Sequence, residues 1–218
     1  EAVARLDGRV PYWLGSPYGG NDYNSEEDGD SHNWNVWHGN SPRRFGEKPA
    51  VDHSPQGVTY RRYAEDQSRF VSEFGMHAAP VFETLRRNIP QDQLYHHSPS
   101  MDHHNKDNPK NKGDSLMLAV TGLPKTLAEY IDFSMAAQGL KFGIEHYRRR
   151  KPHCSGTLFW QLNDCWPVLS WSVIDYYGFG KAGYYYARRV YAPVIASVQD
   201  LPDGALAVWV TNDTLAAV

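Results

Sequence analysis

Apolar residues in this chain come in short runs that stop abruptly on polar or glycine-rich stretches. Four of these runs predict buried strands that open into loops. Val10-Pro11-Tyr12-Trp13-Leu14 leads into the turn-rich Gly15 to Gly20, and a second strand end falls around Asn33 to Gly39, after an acidic loop. Phe70-Val71-Ser72-Glu73 is the third run and Gly156 to Gln161 the fourth. Helical spacing lies between them. Val81 to Arg87 predicts a short helix, and a long one is expected from Leu127 to Arg150. At its start, Thr126 and Glu129 have the spacing of a capping box. Leu127, Ile131 and Met135 then share one face, and Arg148-Arg149-Arg150-Lys151 gathers at the negative end of the helix dipole before Pro152 stops it.

Strands alternating with helices predict a parallel α/β arrangement. Four such units make half of an eight-stranded barrel. From about Tyr191-Ala192-Pro193 the pattern changes. Val194 to Val198, a Leu201-Pro202-Asp203-Gly204 turn and the alternating Leu206, Val208 and Val210 predict a β-hairpin, as at the opening of an antiparallel sandwich.

Composition narrows the function classes. With 41% hydrophobic and 22% charged residues over 218 positions, the chain is an ordinary globular one. A net charge of -3 supplies no electrostatic footprint for nucleic acid or an anionic membrane. No run approaches the roughly 20 apolar residues that span a bilayer. The chain begins Glu1-Ala2-Val3 without an initiator Met or a signal peptide, and its pattern is that of a sequence truncated at both ends. Cys154 and Cys165 flank one predicted strand, too far apart along it to bridge. Free thiols are therefore expected, which favours a reducing, cytoplasmic compartment.

The aromatic content, with 7 Trp and 14 Tyr, is the outlier. Many of these residues stand beside His, Asn, Asp and Gly near strand ends, a mixture suited to carbohydrate, with its apolar C–H faces and its hydroxyls. Glu73 lies within Arg69-Phe70-Val71-Ser72-Glu73-Phe74-Gly75, where a buried strand stops on a carboxylate. A structural ion pair with Arg69 or another base at the rim is the simplest use of such a group; a nucleophile facing a sugar is the chemical one. Trp160 and Trp37 are candidate pocket walls, against a role as core filler. Trp34 is assigned to packing. His32 and Asn163 are candidates for hydroxyl contacts. Glu26-Glu27-Asp28 with Asp30 is expected to be a solvated loop. His96, His97, Asp102, His103 and His104 have ligand-like composition, but their spacing fits no standard zinc motif, so a polar loop is expected and no metal is assigned.

Several strings resemble the β-mannosidases of glycoside hydrolase family 2: Trp34-Asn35-Val36-Trp37-His38-Gly39, Val71-Ser72-Glu73-Phe74-Gly75, Ile144-Glu145-His146-Tyr147-Arg148-Arg149, Phe159-Trp160-Gln161-Leu162-Asn163-Asp164-Cys165-Trp166-Pro167 and Ser172-Val173-Ile174-Asp175-Tyr176-Tyr177-Gly178. The resemblance implies the second half of a (β/α)8 TIM barrel over residues 1–190 and the first strands of an immunoglobulin-like β-sandwich over 191–218. It implies hydrolysis of terminal β-linked mannose with retention, Glu73 as nucleophile, and Trp37, Trp160, His32 and Asn163 as substrate contacts. The family's acid/base glutamate follows an Asn, and no Asn-Glu pair occurs here. That group is expected outside the chain, with the first half of the barrel and the preceding sandwich domains. No cofactor is implied, and the partner is a β-mannoside oligosaccharide or glycan. The alternatives are a non-catalytic sugar-binding remnant and a related exo-glycosidase such as an exo-β-glucosaminidase.

Overall fold

The computed structural model describes residues 1–19, 24–41, 48 and 50–217. Two short parallel strands, β1 (Ser31–Asn33) and β2 (Val71–Phe74), form the sheet that carries the site. A third stretch flanks β2 on its other edge. The Val71 N–H donates to the Gly156 carbonyl at 3.0 Å, and the Leu158 and Trp160 N–H groups donate to Val71 and Phe74 at 2.8 Å. The expected third and fourth runs are thus neighbours in one parallel arrangement. Val71, Phe74 and Met76 are fully buried, the signature of a sheet covered on its inner side.

Helices are distributed between and after these strands: α1 (Ala2–Leu6), α2 (Asn35–His38), α3 (Phe82–Asn88), α4 (Pro99–His103), α5 (Lys112–Leu118), α6 (Leu127–Ala137), α7 (Leu140–Arg149) and α8 (Ala182–Val190). α3 is the predicted short helix. The Thr126–Glu129 capping box is present at the start of α6. The single long helix is not: α6 and α7 are separate. Between them Gly139 takes φ 59°, and a Cβ there would lie 2.4 Å from the Cβ of Tyr60. Gln138 fills the break, its Nε2 donating to the carbonyls of Met76 and Trp171 at 3.2 Å. This fastens the helix junction to the loops leaving the sheet.

Val10 to Leu14 is the second correction. These residues form no strand, and Val10, Tyr12 and Leu14 are exposed. A run of this kind becomes a strand only when a neighbouring backbone pairs with it, and no such partner occurs among the described residues. Gly20, at the end of the turn that follows, lies outside them. A third difference concerns the second strand. β1 ends at Asn33, and the chain turns at once into α2.

α7 packs its inner face on the sheet, with Tyr147 and Phe74 ring centroids 5.3 Å apart. A buried polar cluster lies beneath β1. Asn33 Nδ2 donates to Asp66 at 2.5 Å and to the Tyr147 hydroxyl at 3.0 Å. The predicted hairpin is present as β3 (Val194–Asp200) and β4 (Leu206–Asn212), antiparallel and in continuous register. Its junction with the helices is polar. Arg148 reaches Asp213 at 2.9 Å, and Arg149 donates to the Ser197 hydroxyl at 3.2 Å. Both cysteines are free, Cys154 buried and Cys165 exposed. No helix among the described residues is long and apolar enough to cross a membrane.

Candidate active site

A β-bulge sets the direction of Glu73. Ser31 pairs with Val71, but His32 pairs with Glu73, so Ser72 is an extra residue on β2. A bulge re-aims the side chains beside it, and here it brings the His32 and Glu73 side chains to the same rim. Ser72 is occupied elsewhere: its hydroxyl donates to the Asp30 carboxylate and lies 3.2 Å from the Ser31 carbonyl.

One donor holds the Glu73 carboxylate, and a histidine stands beside the same oxygen. The Trp34 indole Nε1–H donates to Oε2 at 3.0 Å, and His32 Nδ1 lies 3.4 Å from the same atom. Among the described residues no donor binds Oε1, and the side chain keeps 25% of its exposure. One oxygen is therefore fixed while the other remains open to a ligand. Arg69 forms no ion pair with Glu73 among the described residues; the base that stands beside the carboxylate is His32.

His32 is itself clamped. Its backbone N–H donates to Asn24 Oδ1 at 2.8 Å, and its carbonyl accepts from Asn24 Nδ2 at 2.9 Å. Its Nε2 meets the Ser16 hydroxyl at 3.0 Å, and that hydroxyl also donates to Asp30 at 2.6 Å. A chain of contacts thus runs from Asp30 through Ser16 and His32 to Glu73. His32 and Trp34, together with Asn24, Glu26, Asn35 and Asp66, line a cavity of about 330 Å3.

The acidic loop expected to be fully solvated is partly built into this rim. Glu27 and Asp28 are exposed, but Asp30 is half-buried and hydrogen-bonded. Glu26 accepts from the Gln67 N–H at 3.1 Å, and burial raises its carboxyl above the ordinary carboxylate range.

Trp160 stands at the end of the stretch beside β2, 40% exposed, with its ring edge-on to Trp34 at 6.5 Å. The peptide that follows it is cis. Gly75 permits this approach, because a Cβ there would sit 2.1 Å from the Trp160 carbonyl oxygen. Asn163 is exposed and pairs through its backbone with Ile174.

Trp37 requires a correction. It is 1% exposed, stacked on His77 at 5.8 Å and edge-on to Trp171 at 5.4 Å, with Lys112 Nζ 4.6 Å from its ring centroid. With both faces covered it belongs to the core and offers no platform. Burial keeps His77 neutral, with its pKa lowered to about 3. Trp34, assigned to packing from sequence, is the tryptophan that touches Glu73. Ser16 and Asp30 were likewise missed. Their contacts join segments far apart in the chain, and nothing in local spacing signals them.

No family model matches the chain. Among curated proteins it is 33% identical over 207 residues to a beta-mannosidase B of Aspergillus niger, a match covering 91% of this chain and 23% of the relative. It is 32% identical over 208 residues to a beta-mannosidase B of Thermothelomyces thermophilus, covering 89% and 22%. The chain thus spans less than a quarter of the length of these relatives. Among solved structures, a beta-D-mannosidase from Dictyoglomus thermophilum superposes with a TM-score of 0.85 at 41% identity, covering 99% of this chain and 25% of that one. An exo-chitosanase of Amycolatopsis orientalis matches with a TM-score of 0.57 at 18% identity over 69% of this chain and 20% of that one, a likeness of fold. The matches span about nine-tenths of the chain or more, and they support its being a segment of a β-mannosidase of glycoside hydrolase family 2.

Proposed function

We propose that this chain carries the nucleophile and part of the sugar pocket of a retaining exo-β-mannosidase that removes terminal non-reducing β-D-mannose from oligosaccharides or glycans. In this reading Glu73 Oε1 attacks the anomeric carbon, the leaving oxygen departs with a proton from a general acid, and water resolves the mannosyl-enzyme. The acid/base glutamate comes from outside these 218 residues, in the first half of a (β/α)8 barrel of which residues 1–190 form the second half. Residues 191–218 open an immunoglobulin-like sandwich. Supporting that division, the hairpin leaves Leu206, Val208 and Val210 66%, 74% and 67% exposed.

The observation that carries the proposal is the Glu73 carboxylate, held at Oε2 by the Trp34 indole N–H with His32 beside the same oxygen and no donor on Oε1 among the described residues, next to a half-exposed Trp160. Trp160 supplies an apolar face for the sugar ring, and the exposed Asn163 amide supplies a hydroxyl contact.

The test is covalent trapping with a 2-deoxy-2-fluoro-β-mannoside carrying a dinitrophenolate leaving group, which departs with little protonation. A fluoromannosyl adduct on the peptide containing Glu73, absent in Glu73→Gln, is the expected result on the full-length protein. An adduct on another carboxylate would overturn the assignment of Glu73. Trapping by the fluoroglucosaminide analogue in preference to the mannoside would move the substrate to the exo-β-glucosaminidase class. Binding of mannose without any adduct would leave a sugar-binding protein.

A further inference from the structure

The histidine-rich segment divides in the fold. His103 and His104 pack against Trp166, with ring centroids 6.3 and 5.5 Å away, and His104 Nδ1 meets the Pro167 carbonyl at 2.5 Å. His96 and His97 instead meet a carboxylate from the next helix, Asp114 on α5. His96 Nε2 lies 2.8 Å from Asp114 Oδ1, and His97 Nε2 lies 2.9 Å from Oδ2. The three ligand atoms all fall within 4.8 Å of one another.

We propose that His96 Nε2, His97 Nε2 and one carboxylate oxygen of Asp114 bind a divalent transition metal ion of the zinc class, with water completing the shell.

Three protein donors and part of their outer shell can be identified. Two imidazoles and a carboxylate form a donor set suited to zinc. Tetrahedral bonds of about 2.0–2.1 Å separate ligand atoms by about 3.3 Å, so each N–O contact need widen by about half an ångström, while the rings must turn toward one Asp114 oxygen with their nitrogens, now within 4.8 Å, settling to the same spacing. The outer shell supplies an independent observation. Asp102 Oδ1 lies 3.1 Å from His97 Nδ1, on the side of the ring away from Asp114. A carboxylate that accepts from one ring nitrogen while the other faces the ligand cluster is the arrangement that orients metal-bound histidines and raises their basicity. Tyr130 fixes the second ring, stacked on His96 with centroids 4.0 Å apart.

The cluster also has an entry path, with the His96, His97 and Asp114 side chains 20%, 32% and 24% exposed. The ion would tie the turn before α4 to α5, across a stretch that otherwise depends on short helices. This differs from the expectation of no metal drawn from spacing, because the third ligand comes from beyond the histidine-rich segment.

The full-length protein, prepared without a polyhistidine tag and stripped with chelator, is titrated with Zn2+ and separately with Co2+. Expected is one more equivalent bound than by Asp114→Asn or His97→Gln, with a visible cobalt d–d band that both variants lose. Asp102→Asn should keep the band but bind about 10–100-fold more weakly. His103→Ala, outside the cluster, should bind like the parent. Asp114→Asn is nearly isosteric, so it carries the test if His97→Gln fails to fold. Equal stoichiometry and equal spectra in the parent and Asp114→Asn would overturn the proposal. So would a parent that binds no metal, which would leave His97 as an imidazolium held between two carboxylates.

Discussion

Gly75→Ala tests whether the approach of β2 to the Trp160 backbone fixes both the fold and the rim. The new Cβ would lie 2.1 Å from the Trp160 carbonyl oxygen, nearly an ångström inside the 3.0 Å that real Cβ contacts respect, and 3.2 Å from the carbonyl carbon. Both obstacles are backbone atoms, so no side chain can swing away. The nearby rung of the ladder, from the Trp160 N–H to the Phe74 carbonyl at 2.8 Å, must stretch as the chains part. Overpacking of this kind costs about 1–3 kcal/mol, and a weakened backbone hydrogen bond adds about 1 kcal/mol, for a total of about 3 kcal/mol. The displacement falls two residues after Glu73 and on Trp160 itself. A shift of about 1 Å in a reacting group typically lowers turnover by about 100-fold. Urea denaturation, with kcat/KM on an aryl β-mannoside measured for the folded protein, reads both effects. Gly15→Ala is the control, since a Cβ there meets nothing within 4 Å. A Gly75→Ala protein as stable as the control and equally active would refute the steric argument.

Two tryptophans should respond in opposite ways. Trp34→Phe keeps a ring but deletes the donor to Glu73 Oε2, a charge-assisted bond worth about 1.5–3 kcal/mol, so kcat/KM should fall about 10–100-fold with little change in Tm. Trp37→Ala empties the core between Trp171 and His77 and should lower unfolding free energy by about 3–5 kcal/mol, while the KM of the folded fraction stays near the parent value. Fully buried Lys181 predicts a pH dependence. Burial lowers its pKa from 10.5 to about 8, so between those values the unfolded chain binds more protons than the folded one, and the stability contributed by this group rises with pH. Below pH 8 the cost, about 3 kcal/mol at about 1.4 kcal/mol per pH unit, is present in full. Subtracting the denaturation profile of Lys181→Met should isolate a rise between pH 8 and 10.5; a flat difference would show that the amine does not titrate there.

What the sequence made legible was local. The carboxylate at the end of an apolar run, the stretch that pairs beside it, the capping box and the hairpin all follow from spacing within about ten residues. The failures occur where a local rule stops applying partway through a pattern. Trp34 sits at the point where β1 gives way to α2 and Trp37 lies within α2, so neither the two-residue strand period nor the helical one carries through to say which ring faces the rim. Apolar spacing continues across Gln138-Gly139, and a glycine inside a helix costs only about 1 kcal/mol, so the break is invisible until Tyr60 is seen against Gly139. Val10 to Leu14 has strand composition, but pairing depends on a neighbour that the run cannot specify.

The strings that carry the family resemblance do not all mark substrate contacts, and the segment from Gln161 to Pro167 shows why. Asp164 within it is buried and accepts from the Ser170 hydroxyl at 2.7 Å, from Ser172 and from Gln161 Nε2 at 3.2 Å. Lys181 donates nearby to the carbonyls of Ala78 and Ser170 at 3.1 and 3.3 Å, its charge favoured by Asp164 and Asp175. Asp175 in turn accepts from the Thr84 hydroxyl at 2.6 Å. Buried groups of this kind are retained only while every partner stays in place, so they hold three loops in one arrangement. Asn163, next to Asp164, is displayed by that arrangement: its backbone is paired, and its side chain forms no hydrogen bond among the described residues. An amide left free on a rigid support is poised for a hydroxyl at no cost in ordering, whereas the same amide on a loose loop would have to be immobilised on binding. The resemblance at Asp164 is therefore structural, while under the proposed function that at Asn163 would be chemical, although the two residues are adjacent.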